Sequence, residues 1–148
     1  MKRVVVAIDH SAVSRNLMDT AFGYAVREKD VILYFLNVVE PGKTGWRSRS
    51  GEVDEALIAK VRKEVHDWVH ESAAQFGQAI PDLRIAVRSG VPSEMILEFA
   101  EGVAAELIMI GHRGNLERKR FFLGSVAAKV VAHANCSVYV HRPRVLGE

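Results

Sequence analysis

The amino-acid sequence predicts an α/β fold: a single domain over residues 1–148, with an open parallel sheet of five strands and helices on both faces. Three observations carry this. Short apolar runs bounded by turn residues alternate with stretches of helical period, the order of right-handed βαβ units. The first run, Val4-Val5-Val6-Ala7-Ile8, is apolar throughout, as in a strand covered on both faces. A chain of 148 residues, 49% hydrophobic and 26% charged, is long enough for one core that needs no covalent staple.

The elements follow in order. Asp9-His10-Ser11 breaks the first strand, and Val13, Leu17, Ala21, Tyr24 and Ala25 mark a helix face. Residues 31–39 form a second strand, interrupted by Asn37. Residues 40–52 hold three glycines, a proline and two serines and read as a long mobile loop. Helical period returns at Val53, Leu57, Val61, Val65, Trp68, Val69, Ser72 and Phe76, with Gly77 placed to end the helix. Residues 83–87 alternate, which suits an edge strand. After the turn Gly90-Val91-Pro92, Pro92 opens a helix with a face of Met95, Ile96, Phe99, Ala100 and Val103. Residues 107–110 and 136–140 are strands four and five, joined through a helix lined by Val126, Ala127, Val130, Val131 and Ala134. There is no internal repeat, low-complexity tract or domain boundary.

Net charge is +2, too small to argue for nucleic acid as a partner. The cations are bunched instead, at residues 47–49 and 113–120, a pattern suited to a small anion. One cysteine, Cys136, excludes an intrachain disulfide and sits where a buried structural thiol is expected. The basic-then-apolar start is too short for a secretory core, and no run reaches membrane-spanning length. The expected compartment is the cytoplasm, with no membrane partner.

The stretch that carries chemistry is Gly111-His-Arg-Gly-Asn-Leu-Glu-Arg-Lys-Arg-Phe-Phe-Leu-Gly-Ser125, between the fourth strand and the last helix. Its glycines permit close backbone approach, and its N–H groups together with a helix N-terminus at Gly124-Ser125 make an anion site. Arg113, Arg118, Lys119 and Arg120 add positive charge, and the Ser125 hydroxyl can donate to a phosphate oxygen or cap the helix. A phosphate-binding loop is the physical reading.

The spacing Gly-x2-Gly-x9-Gly-Ser, complete at Gly111, Gly114, Gly124 and Ser125, resembles the nucleotide-binding signature of the universal stress protein family. The resemblance covers nearly the whole chain. It includes the opening strand with Asp9 and Ser11, the segment Leu36-Asn37-Val38-Val39, the turn Gly90-Val91-Pro92, and His133-Ala134-Asn135-Cys136-Ser137-Val138. Asn37 departs from it, since the family more often has His there.

The resemblance implies a Rossmann-like sheet in the order 3-2-1-4-5, with Asp9 and Gly111 adjacent where the strand order reverses. It implies that Ala7 and Val38 line an adenine pocket and that Ile110 packs on the nucleoside. Asp9 would lie near the ribose and Mg2+, while Gly111, Arg113, Gly114, Gly124, Ser125 and Val126 hold sugar and phosphates. Asp9 has a second reading as a helix N-cap, and the two roles can coexist. For His112, ligand contact and an exposed loop position stand equally open, and residues 118–120 either reach the γ-phosphate or form a solvated basic face, the second being slightly favoured because the family does not fix these positions. The implied cofactors are ATP and Mg2+. The implied partner is a second copy joined through residues 137–141, and no protein partner is identified.

The resulting expectation is an ATP-binding, homodimeric stress-response regulator or nucleotide-dependent switch. It is not expected to be an enzyme, because Glu117 and His112 are the only nearby acid–base candidates and neither has a positioned partner. Three alternatives stay open: a slow ATPase or self-phosphorylating switch, a nucleotide-independent structural dimer or adaptor, and a cyclic-nucleotide binder. Rival motifs fare worse. Gly42-Lys43-Thr44 ends like a Walker A loop, but position 37 is Asn where that motif needs glycine. His66 and His70 are one turn apart, yet the intervening acid is Asp67 and no third ligand is apparent. The Ser/Asp loop of adenylating enzymes is absent after strand one. Trp46 has no assigned role.

Overall fold

Nine elements alternate along the chain in the computed structural model, which describes residues 1–41, 55–112 and 123–143. They are β1 (Lys2–Ala7), α1 (Ala12–Glu28), β2 (Val31–Val39), α2 (Glu55–Phe76), β3 (Leu83–Ser89), α3 (Pro92–Gly102), β4 (Leu107–Gly111), α4 (Ser125–His133) and β5 (Ser137–His141). Of the expected loop at residues 40–52, everything beyond Pro41, with Trp46 and the Gly42-Lys43-Thr44 motif, lies outside the described residues, as does Val53. The strands form one sheet in the order β3-β2-β1-β4-β5, and every pair is parallel.

Pleating explains why β1 is apolar at consecutive positions. Val4 and Val6 pack among Leu17, Met18 and Phe22 of α1 and Val65 and Val69 of α2. Val5 and Ala7 point the other way, onto Ile96 and Ala100 of α3 and Ala127 and Val130 of α4. Both faces are therefore covered, as helical crossovers between parallel strands require.

Several expectations need correction. The buried face of α1 includes Met18 and Phe22, both fully buried and both missed by the five-residue stripe, because α1 packs against both the sheet and its neighbour α2 on the same face. Val131 is 49% exposed, so the apolar stripe of α4 is narrower than its sequence suggests. Asn37 does not interrupt β2: it lies inside the strand, 5% exposed, and its Nδ2 donates to the Ile8 carbonyl at 3.0 Å. β1 ends at Ala7 rather than Ile8, and β5 begins at Ser137 rather than Cys136. Cys136 is partly buried, and burial raises its thiol above the usual range, consistent with a structural thiol. Among the described residues no helix is long and apolar enough to cross a membrane.

Two histidines fasten the end of β4 to β5. The His112 backbone N–H and its ring Nδ1 both lie on the His141 carbonyl, at 2.9 and 3.2 Å. A carbonyl only accepts, so this contact places a proton on His112 Nδ1. The His141 ring is buried, with Nδ1 3.4 Å from the Tyr139 hydroxyl and Nε2 without a partner among the described residues, and burial holds its pKa below the ordinary 6.5.

Two outcomes follow from this packing. Phe22→Ala is expected to cost about 3–5 kcal/mol in urea unfolding, whereas Val131→Ala should stay within about 0.5 kcal/mol. The folded state binds the His141 proton less readily than the unfolded chain does, so this contribution to stability is full above the unfolded value and falls as pH drops through the lowered folded value. Unfolding free energy measured between about pH 7 and about pH 5 should decline less steeply in His141→Gln than in the parent.

Candidate functional site

The parallel pairing Ala7↔Ile110 brings the carboxyl ends of β1 and β4 side by side at the centre of the sheet. Asp9 leaves two residues beyond Ala7, and Gly111 directly follows Ile110. This is where the strand order reverses, and the departing chains diverge to α1 and α4 on opposite faces. The divergence leaves a notch, bounded on the third side by β2, which continues past the end of β1 to Val39.

One wall of the notch is a braced acidic turn. Asp9 Oδ1 accepts from the Ser11 N–H and from the Ser14 hydroxyl, each at 2.9 Å, and the Ser14 oxygen accepts the Asp9 N–H at 2.8 Å. Ser11 is the N-cap of α1, its side chain accepting the Ser14 N–H at 3.2 Å. The N-cap reading of Asp9 is thus corrected: the serine caps, and the carboxylate braces the turn while staying partly exposed. The sequence reading missed Ser14, although hydroxyls at positions 11 and 14 after an aspartate form a local pattern that could have signalled it. Beyond the turn, His10 stacks on Trp68 of α2 with ring centroids 5.8 Å apart.

The opposite wall is the start of α4. Gly124 is its N-cap and supplies no side-chain cap. The first helical bond runs from Ala128 N–H to the Gly124 carbonyl at 2.9 Å, so the amides of Ser125, Val126 and Ala127 precede it and, among the described residues, have no backbone acceptor. The Gly124 N–H itself donates to the His112 carbonyl at 2.7 Å. That bond ties the helix start to the end of β4, and it removes the Gly124 amide from the donors offered to a ligand. Ser125 is exposed and Gly124 buried.

The floor is apolar. Ala7 and Ile110 belong to the buried layer on the α3–α4 face, and Val38 and Val126 pack against it. The structure therefore gathers Ala7, Asp9, Val38, Ile110, Gly111, Gly124, Ser125 and Val126 around one notch. Arg113, Gly114, Glu117 and residues 118–120 lie outside the described residues. His112 is neither an exposed loop residue nor a surface ligand contact: only 3% of it is accessible, because it is locked onto β5.

Clefts of about 390 Å³, beside Arg88, Met95 and Phe99, and about 190 Å³, beside Ile108, His133 and Cys136, lie elsewhere on the molecule. His66 and His70 sit exposed with ring centroids 4.1 Å apart. Among the described residues no group of three His, Cys, Asp or Glu could hold a metal ion. The donors present, one partly exposed carboxylate at the end of β1 and a helix N-terminus following β4, fit a cation that arrives with phosphate oxygens rather than one caged by protein.

The model of the universal stress protein family matches residues 1–142. A universal stress protein of Methanocaldococcus jannaschii is 32% identical over 146 residues, covering 94% of this chain and 81% of that protein. Among solved structures, a universal stress protein from Archaeoglobus fulgidus in complex with dAMP is 28% identical with a TM-score of 0.65, covering 95% of this chain and 97% of that one. A universal stress protein in complex with cAMP shares the fold at 24% identity and a TM-score of 0.66, covering 95% of each chain. Matched from its first residue to residue 142, and carrying the notch at the reversal point of its sheet, the chain belongs to the universal stress protein family.

Proposed function

We propose that this protein binds ATP together with Mg2+ in the notch between β1 and β4 and acts as a homodimeric, nucleotide-dependent regulator. The observation that carries the reading is the uncapped start of α4, held beside Asp9 by the Gly124–His112 hydrogen bond. Amides without partners at a helix N-terminus attract phosphate through their N–H groups and the helix dipole. On this reading Asp9, braced by Ser11 and Ser14, accepts hydrogen bonds from the ribose hydroxyls, and Ala7, Val38 and Ile110 line the base. Mg2+ would be carried by the phosphates, with Asp9 as its protein-side carboxylate, and would neutralise their charge. The related proteins bound to dAMP and cAMP support an adenine nucleotide as ligand class.

The reading is one of binding rather than catalysis. His112, the nearest general-base candidate, is buried and uses a ring nitrogen on the His141 carbonyl. For assembly, β5 is the outermost strand, and Tyr139 on it is 41% exposed, so a second copy pairing along this edge would satisfy it.

Titration calorimetry should detect Mg-ATP binding to the parent and none to the Gly114→Val, Gly124→Val double variant; equal affinities would remove the loop from the site. Asp9→Asn should weaken ATP by about tenfold, the scale of a lost charge-assisted hydrogen bond. Competition with cAMP in the same cell distinguishes a cyclic-nucleotide binder, and phosphate release abolished by Asp9→Asn would instead support a slow ATPase. Sedimentation should give twice the 16.4 kDa chain mass, reverting to one chain in Tyr139→Lys.

A further inference from the structure

β1 stops pairing with β2 at Ala7↔Leu36, although β2 continues to Val39. In a parallel ladder alternate residues turn their N–H and C=O toward the same neighbour. The Leu36 carbonyl accepts the Ile8 N–H at 2.9 Å, so Val38 is the next residue of β2 whose backbone faces β1. A regular ladder would close the Ile8 carbonyl on the Val38 N–H. Instead that carbonyl receives the side-chain amide of Asn37 at 3.0 Å, and the pairing ends. Among the described residues no hydrogen bond closes on the Val38 N–H.

This is an unusual use of a buried polar side chain. Asn37 is 5% exposed within a strand otherwise built of apolar and aromatic residues. A buried carbonyl recruits a donor, and the nearest alternative to Asn37 is the backbone N–H one residue further on. Without the amide, β1 and β2 would zip together by one more step and shut the third side of the notch. With it, the N–H and C=O of Val38 stay in the plane of the sheet, facing the space beyond β1.

We propose that Asn37 is a positioning residue: by occupying the Ile8 carbonyl it keeps open the backbone of Val38, which the family resemblance implies meets the adenine, for the hydrogen-bonding edge of the base. Adenine presents acceptor nitrogens and an amino donor, complementary to one N–H and one C=O. The inference rests on the adenine-nucleotide reading above, and it assigns base recognition to a side chain that never touches the base.

The test separates base from phosphate and needs no ligand for its first arm. In residue-resolved hydrogen exchange of the ligand-free parent, the Val38 amide should exchange as an open amide while Leu36 is protected; a protected Val38 overturns the proposal. In Asn37→Leu the Val38 amide should become protected, and ATP affinity should fall about tenfold while affinity for inorganic tripolyphosphate is unchanged. Asn37→Asp keeps the shape without the donor and serves if the leucine variant does not fold. An unchanged ratio of ATP to tripolyphosphate affinity in these variants also overturns the proposal. A parent that binds no ATP defeats the adenine reading alone, because the exchange of Val38 still decides what Asn37 does.

Discussion

The in-register pairing of β1 with β4 is the constraint on which the rest of the notch depends. Ala7↔Ile110 sets the acidic turn beside the start of the glycine loop, and hydrogen bonds along the ladder allow no half-steps. A slip of one residue would exchange the two faces of β1, putting Val4 and Val6 where Val5 and Ala7 belong. Each set is complementary to a different pair of helices, so core packing enforces the register and the register places the site. Stability and the geometry for ligand binding thus come from the same contacts.

What surrounds the notch is polar but mostly spoken for. Asp9 is clamped by Ser11 and Ser14, the Ile8 carbonyl by Asn37, and the Gly124 N–H by the His112 carbonyl. Groups fixed in this way lose little freedom when a ligand arrives, which is how a site built largely of backbone can bind at all. The donors left over are the first amides of α4 and the N–H of Val38. They lie at opposite ends of an apolar floor formed by Ala7 and Ile110, a layout suited to a ligand with an anion at one end and a flat heterocycle at the other.

The seam between β4 and β5 connects this arrangement to the edge of the sheet. His112 joins the end of β4 to His141, while its carbonyl holds the start of α4. The edge strand proposed to meet a second copy is therefore linked through a single residue, His112, by one hydrogen bond on each side, to the N-cap of the helix proposed to meet phosphate. No remote pathway has to be invoked for assembly and ligand to sense each other.

The sequence by itself determined the architecture and the two ends that make the site. Consecutive apolar residues in β1 required two covered faces, and the helical periods required crossovers. The glycines at 111 and 124 with Ser125 marked a loop opening a helix, and Gly77, at φ 83°, ended α2 as expected. Resemblance supplied the strand order, which periodicity cannot encode because every apolar strand looks alike from within. Only the tertiary structure decided what depends on distant partners. Asn37 looked like a break in a strand because its acceptor, the Ile8 carbonyl, is twenty-nine positions away. His112 looked like a loop residue because the strand that buries it comes equally far along. Met18 and Phe22 were missed because α2, which covers them, is not part of their own helix. Local pattern reports the chain's own preferences; which polar group ends up satisfied, and by whom, is settled only when strands far apart in sequence lie 5 Å apart, about the spacing of a sheet.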